Sequence, residues 1–166
     1  RDLCYGKKKT LVVDDMPELK LNNRNKTVAG QLSIDIERIL NHRFTDADQE
    51  KSRAVLSNDT GRRYLAPGSL TIKTRGSAGQ SYGAFLNNGM VMHHSGTCND
   101  GVGKAQSGGT TIITSPGGGS IASGENVLIG NFALFGASGG SLFVNGEAGD
   151  RFAVRNSGAM AVVEGV

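Results

Sequence analysis

The sequence predicts a mainly β protein: a parallel β-helix, or solenoid, of about five coils with about 20 residues per coil, entered through a short helical lead-in that caps one end. Three observations predict it. Of the 25 glycines, 22 lie in residues 68–166. Large apolar residues recur in that stretch at a spacing of 20. A block of small residues recurs at the same spacing.

The first apolar column runs Ile72, Met92, Ile112, Phe132, Phe152, and the second runs Tyr82, Val102, Ala122, Leu142, Val162. Between them recur Gly76–Gly79, Gly96–Asn99, Pro116–Gly119, Gly136–Gly139 and Asn156–Ala159, all built from Gly, Ala, Ser, Thr, Cys, Asn or Pro. Such residues suit corners, where positive φ or close backbone approach is needed. Glycine positions alone coincide at this shift no more often than so glycine-rich a segment would give by chance. Helical repeats need longer periods and helix-forming residues, which these stretches lack. Coils stacked at roughly 4.8 Å would lay inward residues in ladders of like character.

Residues 1–67 read differently and are taken as a separate loop and helical lead-in to the 68–166 solenoid. Leu11–Val13 is a short apolar run suited to an edge strand. Thr27 is placed to cap a helix whose Val28, Leu32, Ile36, Ile39 and Leu40 share one face. A second helical pattern starts at Thr45 or Asp46 and runs to about Leu56, and Asn58–Gly61 gives a turn. A solenoid end is an unpaired strand edge, so the lead-in is expected to cover one, and either the rest of a longer chain or self-association with a neighbouring molecule the other.

The net charge of +3 resides wholly in residues 1–67, because residues 68–166 hold five basic and five acidic residues. Lys7–Lys8–Lys9 is short and is followed by Asp14, Asp15 and Glu18, which argues against nucleic acid as a partner. No apolar run is long enough to cross a membrane as a helix. Cys4 and Cys98 are the only cysteines, too few for a disulfide framework. A first residue Arg1 and an abrupt stop at Val166 suggest a piece of a longer chain.

Several strings carry a family resemblance. Leu70–Leu86 (LTIKTRGSAGQSYGAFL), Asn99–Lys104 with Ser107-Gly108-Gly109, Glu125–Ala137 (ENVLIGNFALFGA) and Gly146–Gly165 resemble the glycine-rich C-terminal GXGXG β-helix domain of the glutamate synthase large (alpha) subunit. Asn25–Ile39 resembles the helix leading into it. A formylmethanofuran dehydrogenase component shares the glycine-rich solenoid, with less similarity in these strings. The resemblance implies a right-handed parallel β-helix. It implies a parent enzyme that converts glutamine, 2-oxoglutarate and a reductant into two glutamates. That enzyme has an amidotransferase domain, and a synthase domain carrying FMN and an iron–sulfur cluster. The solenoid would hold those domains in place, in the cytoplasm or, in a photosynthetic eukaryote, the plastid. The electron donor is not readable.

This chain lacks that chemistry. An amidotransferase nucleophile is an N-terminal Cys, whereas Cys4 is internal. An iron–sulfur cluster needs several Cys ligands, and a flavin-binding barrel typically about 250 residues. The expectation is therefore no catalytic, cofactor-binding or metal-binding residue. Gly103-Lys104 fails the P-loop pattern at Cys98 and Ala105, and Gly117–Gly119 lacks the following helix of a dinucleotide site. His93 and His94, near Cys98, are adjacent and so would face opposite sides of a strand, with His94 in a packing column. A carbohydrate-active β-helix enzyme would align carboxylates along one face, but Asp100, Glu125, Glu147, Asp150 and Glu164 share no column. A free-standing interaction module is the remaining alternative.

Overall fold

The computed structural model describes residues 3–116 and 126–166. Among the described residues, ten strands, two α-helices and a 3-10 turn at Pro17–Leu19 follow in the order β1 (Leu11–Val13), β2 (Lys20–Leu21), α1 (Gly30–His42), α2 (Asp46–Lys51), β3 (Val55–Ser57), β4 (Arg63–Leu65), β5 (Leu70–Ala78), β6 (Met90–Cys98), β7 (Ser107–Thr114), β8 (Val127–Ile129), β9 (Gly139–Ala148) and β10 (Met160–Gly165). Eight strands form one parallel sheet in the order β1-β5-β6-β7-β9-β10, with β2 beside β5 and β8 between β6 and β9. β3 and β4 form a separate antiparallel hairpin.

The long strands alternate as half-buried strands should. In β6 every second residue from Met90 to Cys98 is buried. β5 and β6 pair without a break from Leu70↔Met90 to Ala78↔Cys98, nine pairs at a constant offset of 20 residues. That spacing ends there. Met92 pairs with Thr111, and Thr111 with Leu142, steps of 19 and 31. A one-residue slip sends each side chain to the opposite face. Ile113 therefore enters the core, fully buried. Ile112 turns outward, between His93 and Phe143.

These registers overturn the expected right-handed β-helix of five coils. The described strands make a mainly β protein with one parallel sheet, few helices and no sustained 20-residue repeat. The inner ladder is Ile72–Met92–Thr111–Leu142–Ala161, not Ile72–Met92–Ile112–Phe132–Phe152. Phe132 and Phe152 lie in connections, Val162 is 54% exposed, and Ala122, Glu125 and Gly117–Gly119 lie outside the described residues. The small-residue blocks Gly76–Gly79 and Gly96–Asn99 are mostly strand, not corner. Their glycines let two strands pass closely: a Cβ on Gly96 would collide with the carbonyl oxygen of Gly76.

The corners are elsewhere, and they carry a different repeat. In each of four connections three alternate residues have positive φ: Ser81, Gly83, Phe85; Gly101, Gly103, Ala105; Phe132, Leu134, Gly136; and Arg151, Ala153, Arg155. The first amide of one layer donates to the next layer, as in Ser81 N–H to Asp100 O (2.8 Å), Gly101 N–H to Asn131 O (2.9 Å) and Phe132 N–H to Asp150 O (2.8 Å). The middle amide donates backward, as in Gly103 N–H to Tyr82 O (2.9 Å) and Leu134 N–H to Val102 O (2.7 Å). The connections are thus stacked and hydrogen-bonded like the strands they join, and this satisfies backbone groups that loops usually leave to water.

The lead-in corrects three expectations. Strands β1 and β2, not helices, border β5 at this end of the sheet. Helix α1 starts at Gly30 behind Ala29, with no side-chain cap and Thr27 at positive φ. Its buried face is Gly30, Ser33, Ile36 and Leu40, with Leu32 40% exposed. It packs beside the 84–90 connection, where Ser33 Oγ meets Met90 Sδ at 3.4 Å and Asn87 donates to Ser33 O at 2.8 Å. Helix α2 starts as expected with a Thr45–Asp48 capping box, yet ends at Lys51 because Val55–Ser57 is strand β3. The Asn58–Gly61 turn then closes the hairpin, held by Asn58 Oδ1 accepting from Thr60 and Arg62 amides.

Candidate functional site

Three side chains with catalytic potential meet inside the sheet. The Thr74 hydroxyl lies 2.8 Å from the Tyr82 hydroxyl and 2.8 Å from His94 Nδ1. His94 Nε2 lies 3.0 Å from Gly76 O and 3.1 Å from Thr97 O. Two carbonyls around Nε2 require that nitrogen to carry the proton. Nδ1 then accepts from Thr74, and Thr74 in turn accepts from Tyr82. The chain of donors is closed at both ends.

Burial sets the protonation of this cluster and of the nearby Cys98. It lowers the His94 pKa, against weaker opposition from the Gly76 and Thr97 carbonyls, so the ring stays neutral. It raises the Tyr82 phenol and the Cys98 thiol far above their usual ranges. Tyr82 and His94 rings also pack at 5.0 Å between centroids. A neutral imidazole with both nitrogens engaged has no site left for base work or for a metal.

The remaining candidates are scattered by the fold. His93 faces outward beside Lys73 and Ile112, opposite to His94. Cys4 is buried in the lead-in, its thiol pushed up by burial, and Cys98 ends β6. Among the described residues no three His, Cys, Asp or Glu side chains gather as a metal would need. Two buried, protonated thiols do not fit an iron–sulfur cluster. Asp100 Oδ1 accepts from the Asn131 amide at 2.7 Å, and Glu164 from Asn145 at 2.7 Å, so each holds loop or strand structure. Gly103 is the centre of a stacked turn rather than the end of a phosphate loop.

Sequence reading missed one constellation. Lys104, Phe132, Phe135, Arg151, Val154 and Arg155 line an open groove of ≈ 510 Å³ on the connection side. Phe132 and Phe135 meet edge to face at 6.4 Å. The Arg151 guanidinium lies 5.9 Å from the Phe132 centroid, and that of Arg155 lies 5.7 Å from Phe135. Phe135 and Arg155 do lie 20 residues apart, the one signal of this groove that the spacing carried. Phe132 and Arg151, one residue closer, fall outside that spacing.

The chain belongs to one class of glycine-rich domains: residues 24–166 match the GXGXG motif family. Within that class the chain is similar to one segment of glutamate synthases. It is 50% identical over 117 residues, 68% of the chain, to glutamate synthase [NADH] of Schizosaccharomyces pombe. It is 48% identical over 111 residues, 67% of the chain, to the glutamate synthase [NADPH] large chain of Bacillus subtilis. Over 141 residues, 79% of the chain, it is 43% identical to ferredoxin-dependent glutamate synthase 2 of Synechocystis. The matches span only 6%, 7% and 9% of those three relatives. The resemblance seen in the sequence is borne out: this is a GXGXG domain of the glutamate synthase kind. Among the described residues no helix is long and apolar enough to cross a membrane.

Proposed function

We propose that this domain is a non-catalytic scaffold of a cytoplasmic or plastid glutamate synthase, a rigid spacer between its amidotransferase part and its FMN- and iron–sulfur-bearing synthase part. One observation carries the reading. The residues with chemical potential, Tyr82, Thr74 and His94, are buried and hydrogen-bonded to one another, which makes them packing elements. Relatives named for NADH, NADPH and ferredoxin resemble this segment to a similar degree, 43–50%. A segment so indifferent to the electron donor fits a structural part better than a redox one.

The test uses the full-length enzyme. Tyr82→Phe, His94→Gln and Cys98→Ser should leave the kcat of glutamine hydrolysis and of reductive glutamate formation unchanged once stability is matched. A variant that loosens the domain, such as Leu40→Ala, should change the ratio of glutamine hydrolysed to glutamate made before either KM moves. Loss of one half-reaction in His94→Gln, with unaltered melting, would overturn the proposal.

A further inference from the structure

The cations of residues 68–166 are not evenly placed. There are five. Lys73 and Arg75 lie against Asp14 and Asp15 of the lead-in, at 3.0 and 3.9 Å. The other three, Lys104, Arg151 and Arg155, all line the ring-floored groove. Their side chains are exposed, and among the described residues no carboxylate or carbonyl meets them. By contrast Arg62 and Arg63 of the lead-in bond to Glu37 and Asp46. Among the described residues, the cations of this segment that no acid meets thus gather at one open groove.

The groove is also pre-shaped. The Phe132 ring lies across Gly101, where an added Cβ would stand 2.9 Å from it, so the ring is fixed against the stacked turns. Each guanidinium rests on a ring, which holds its donors outward at low entropic cost.

We infer that this groove seats an acidic peptide segment, an Asp- or Glu-bearing stretch from the rest of the glutamate synthase chain. The matched relatives hold more than nine-tenths of their length outside this segment, so a partner within the same polypeptide is at hand. Guanidinium forks match carboxylates in bidentate geometry. Nucleic acid fits less well: single strands need open ring faces for base stacking, and here the guanidiniums lie over those rings. The inference rests on the scaffold reading, to which it adds the contact surface.

Zero-length carbodiimide coupling of the full-length enzyme, followed by peptide mass mapping, tests it. Lys104 should form an amide with an Asp or Glu outside residues 1–166. Arg151→Glu with Arg155→Glu should lower that yield about tenfold or more, since like charges then face each other. Arg151→Lys with Arg155→Lys, which keeps the charge and is less exposed to misfolding, should lower it only a few-fold. A Lys104 that stays uncoupled, couples only between copies, or is shielded by inorganic phosphate or oligonucleotide instead, overturns the groove assignment. If the half-reactions still depend on the domain in that case, the scaffold reading stands and only its contact surface is wrong.

Discussion

Residues before 67 and residues after it are held together by different physics. The lead-in is a side-chain structure. Leu40, Phe44, Ala54, Val55 and Leu65 are buried there, in an apolar core continuous with that of the sheet, and Arg63 ties α2 to the hairpin through Phe44 O, Gln49 and Asp46. The sheet region is a backbone structure. Its strands and connections stack amide on carbonyl, and several contacts leave no room for a Cβ. A side-chain structure tolerates substitution in proportion to volume lost. A backbone structure fails where any atom intrudes.

Gly96→Ala is the strongest way to break that comparison. Gly96 pairs with Gly76, has φ of 145°, and an added Cβ would strike the Gly76 carbonyl. Backbone cannot step aside as a side chain can, so the loss should be about 4 kcal/mol, read as a fall in the urea midpoint at unchanged slope. Leu40→Ala comes next. Leu40 is fully buried, and the cavity it leaves should cost about 3 kcal/mol. If the two regions fold as one cooperative unit, helix and sheet signals will fall together in both variants. If Leu40→Ala melts helix signal alone, the lead-in is a separate unit, with the division near residue 67 that the glycine and charge distributions suggest.

What could be read from the sequence follows the same division. Side-chain logic is written in residue types, so the presence of two helices, the start of the second at Thr45 or Asp46, the Leu11–Val13 edge strand and the Asn58–Gly61 turn were legible, while the Thr27 cap and the run of the second helix to Leu56 were misread. The ladder from Ile72 to Met92 was legible for the same reason, as was the family resemblance. Register was not. The slip at Thr111 and the 31-residue step to Leu142 depend on where backbone hydrogen bonds close, and an apolar residue such as Ile112 reads alike facing in or out. The stacked turns were also hidden, because Ser81, Phe85, Phe132, Leu134, Arg151 and Arg155 hold positive φ without the glycine that usually announces it. The cationic groove depends on that stacking, so it was lost with it.

The buried network joins the two kinds of structure, since side chains there bond to strand carbonyls. Thr74→Val should cost about 2 kcal/mol by stranding His94 Nδ1 and removing the acceptor of the Tyr82 hydroxyl. Acid should act through the same ring. Burial lowers the folded pKa of His94 below its ordinary 6.5. Below that value the unfolded chain binds a proton that the folded chain resists, so the unfolded state gains. The contribution of the neutral ring is whole above pH 6.5 and drains as pH falls toward the depressed folded value. Urea midpoints measured from about pH 8 to 5 should show this fall, and His94→Gln should flatten it. An equal slope in the variant would place the acid sensitivity elsewhere.

The smallest effect is the one that discriminates most finely between the two kinds of structure. Ala105 is the third residue of the Gly101-Val102-Gly103-Lys104-Ala105 turn, and it sits at φ of 53°. A non-glycine residue there carries a penalty of roughly 1–2 kcal/mol, while glycine loses about 0.5–1 kcal/mol more chain entropy on folding. Ala105→Gly should therefore stabilise the protein by about 0.5 kcal/mol, completing the glycine pattern of this layer. Its neighbour Ala84, fully buried and absent from the positive-φ set, provides the contrast: Ala84→Gly should cost about 1 kcal/mol. Opposite signs for the same chemical change would show that backbone conformation, rather than side-chain volume, governs the stacked turns. Equal costs would mean that Ala105 is held by its packing, and the division between the two regions would then be one of degree.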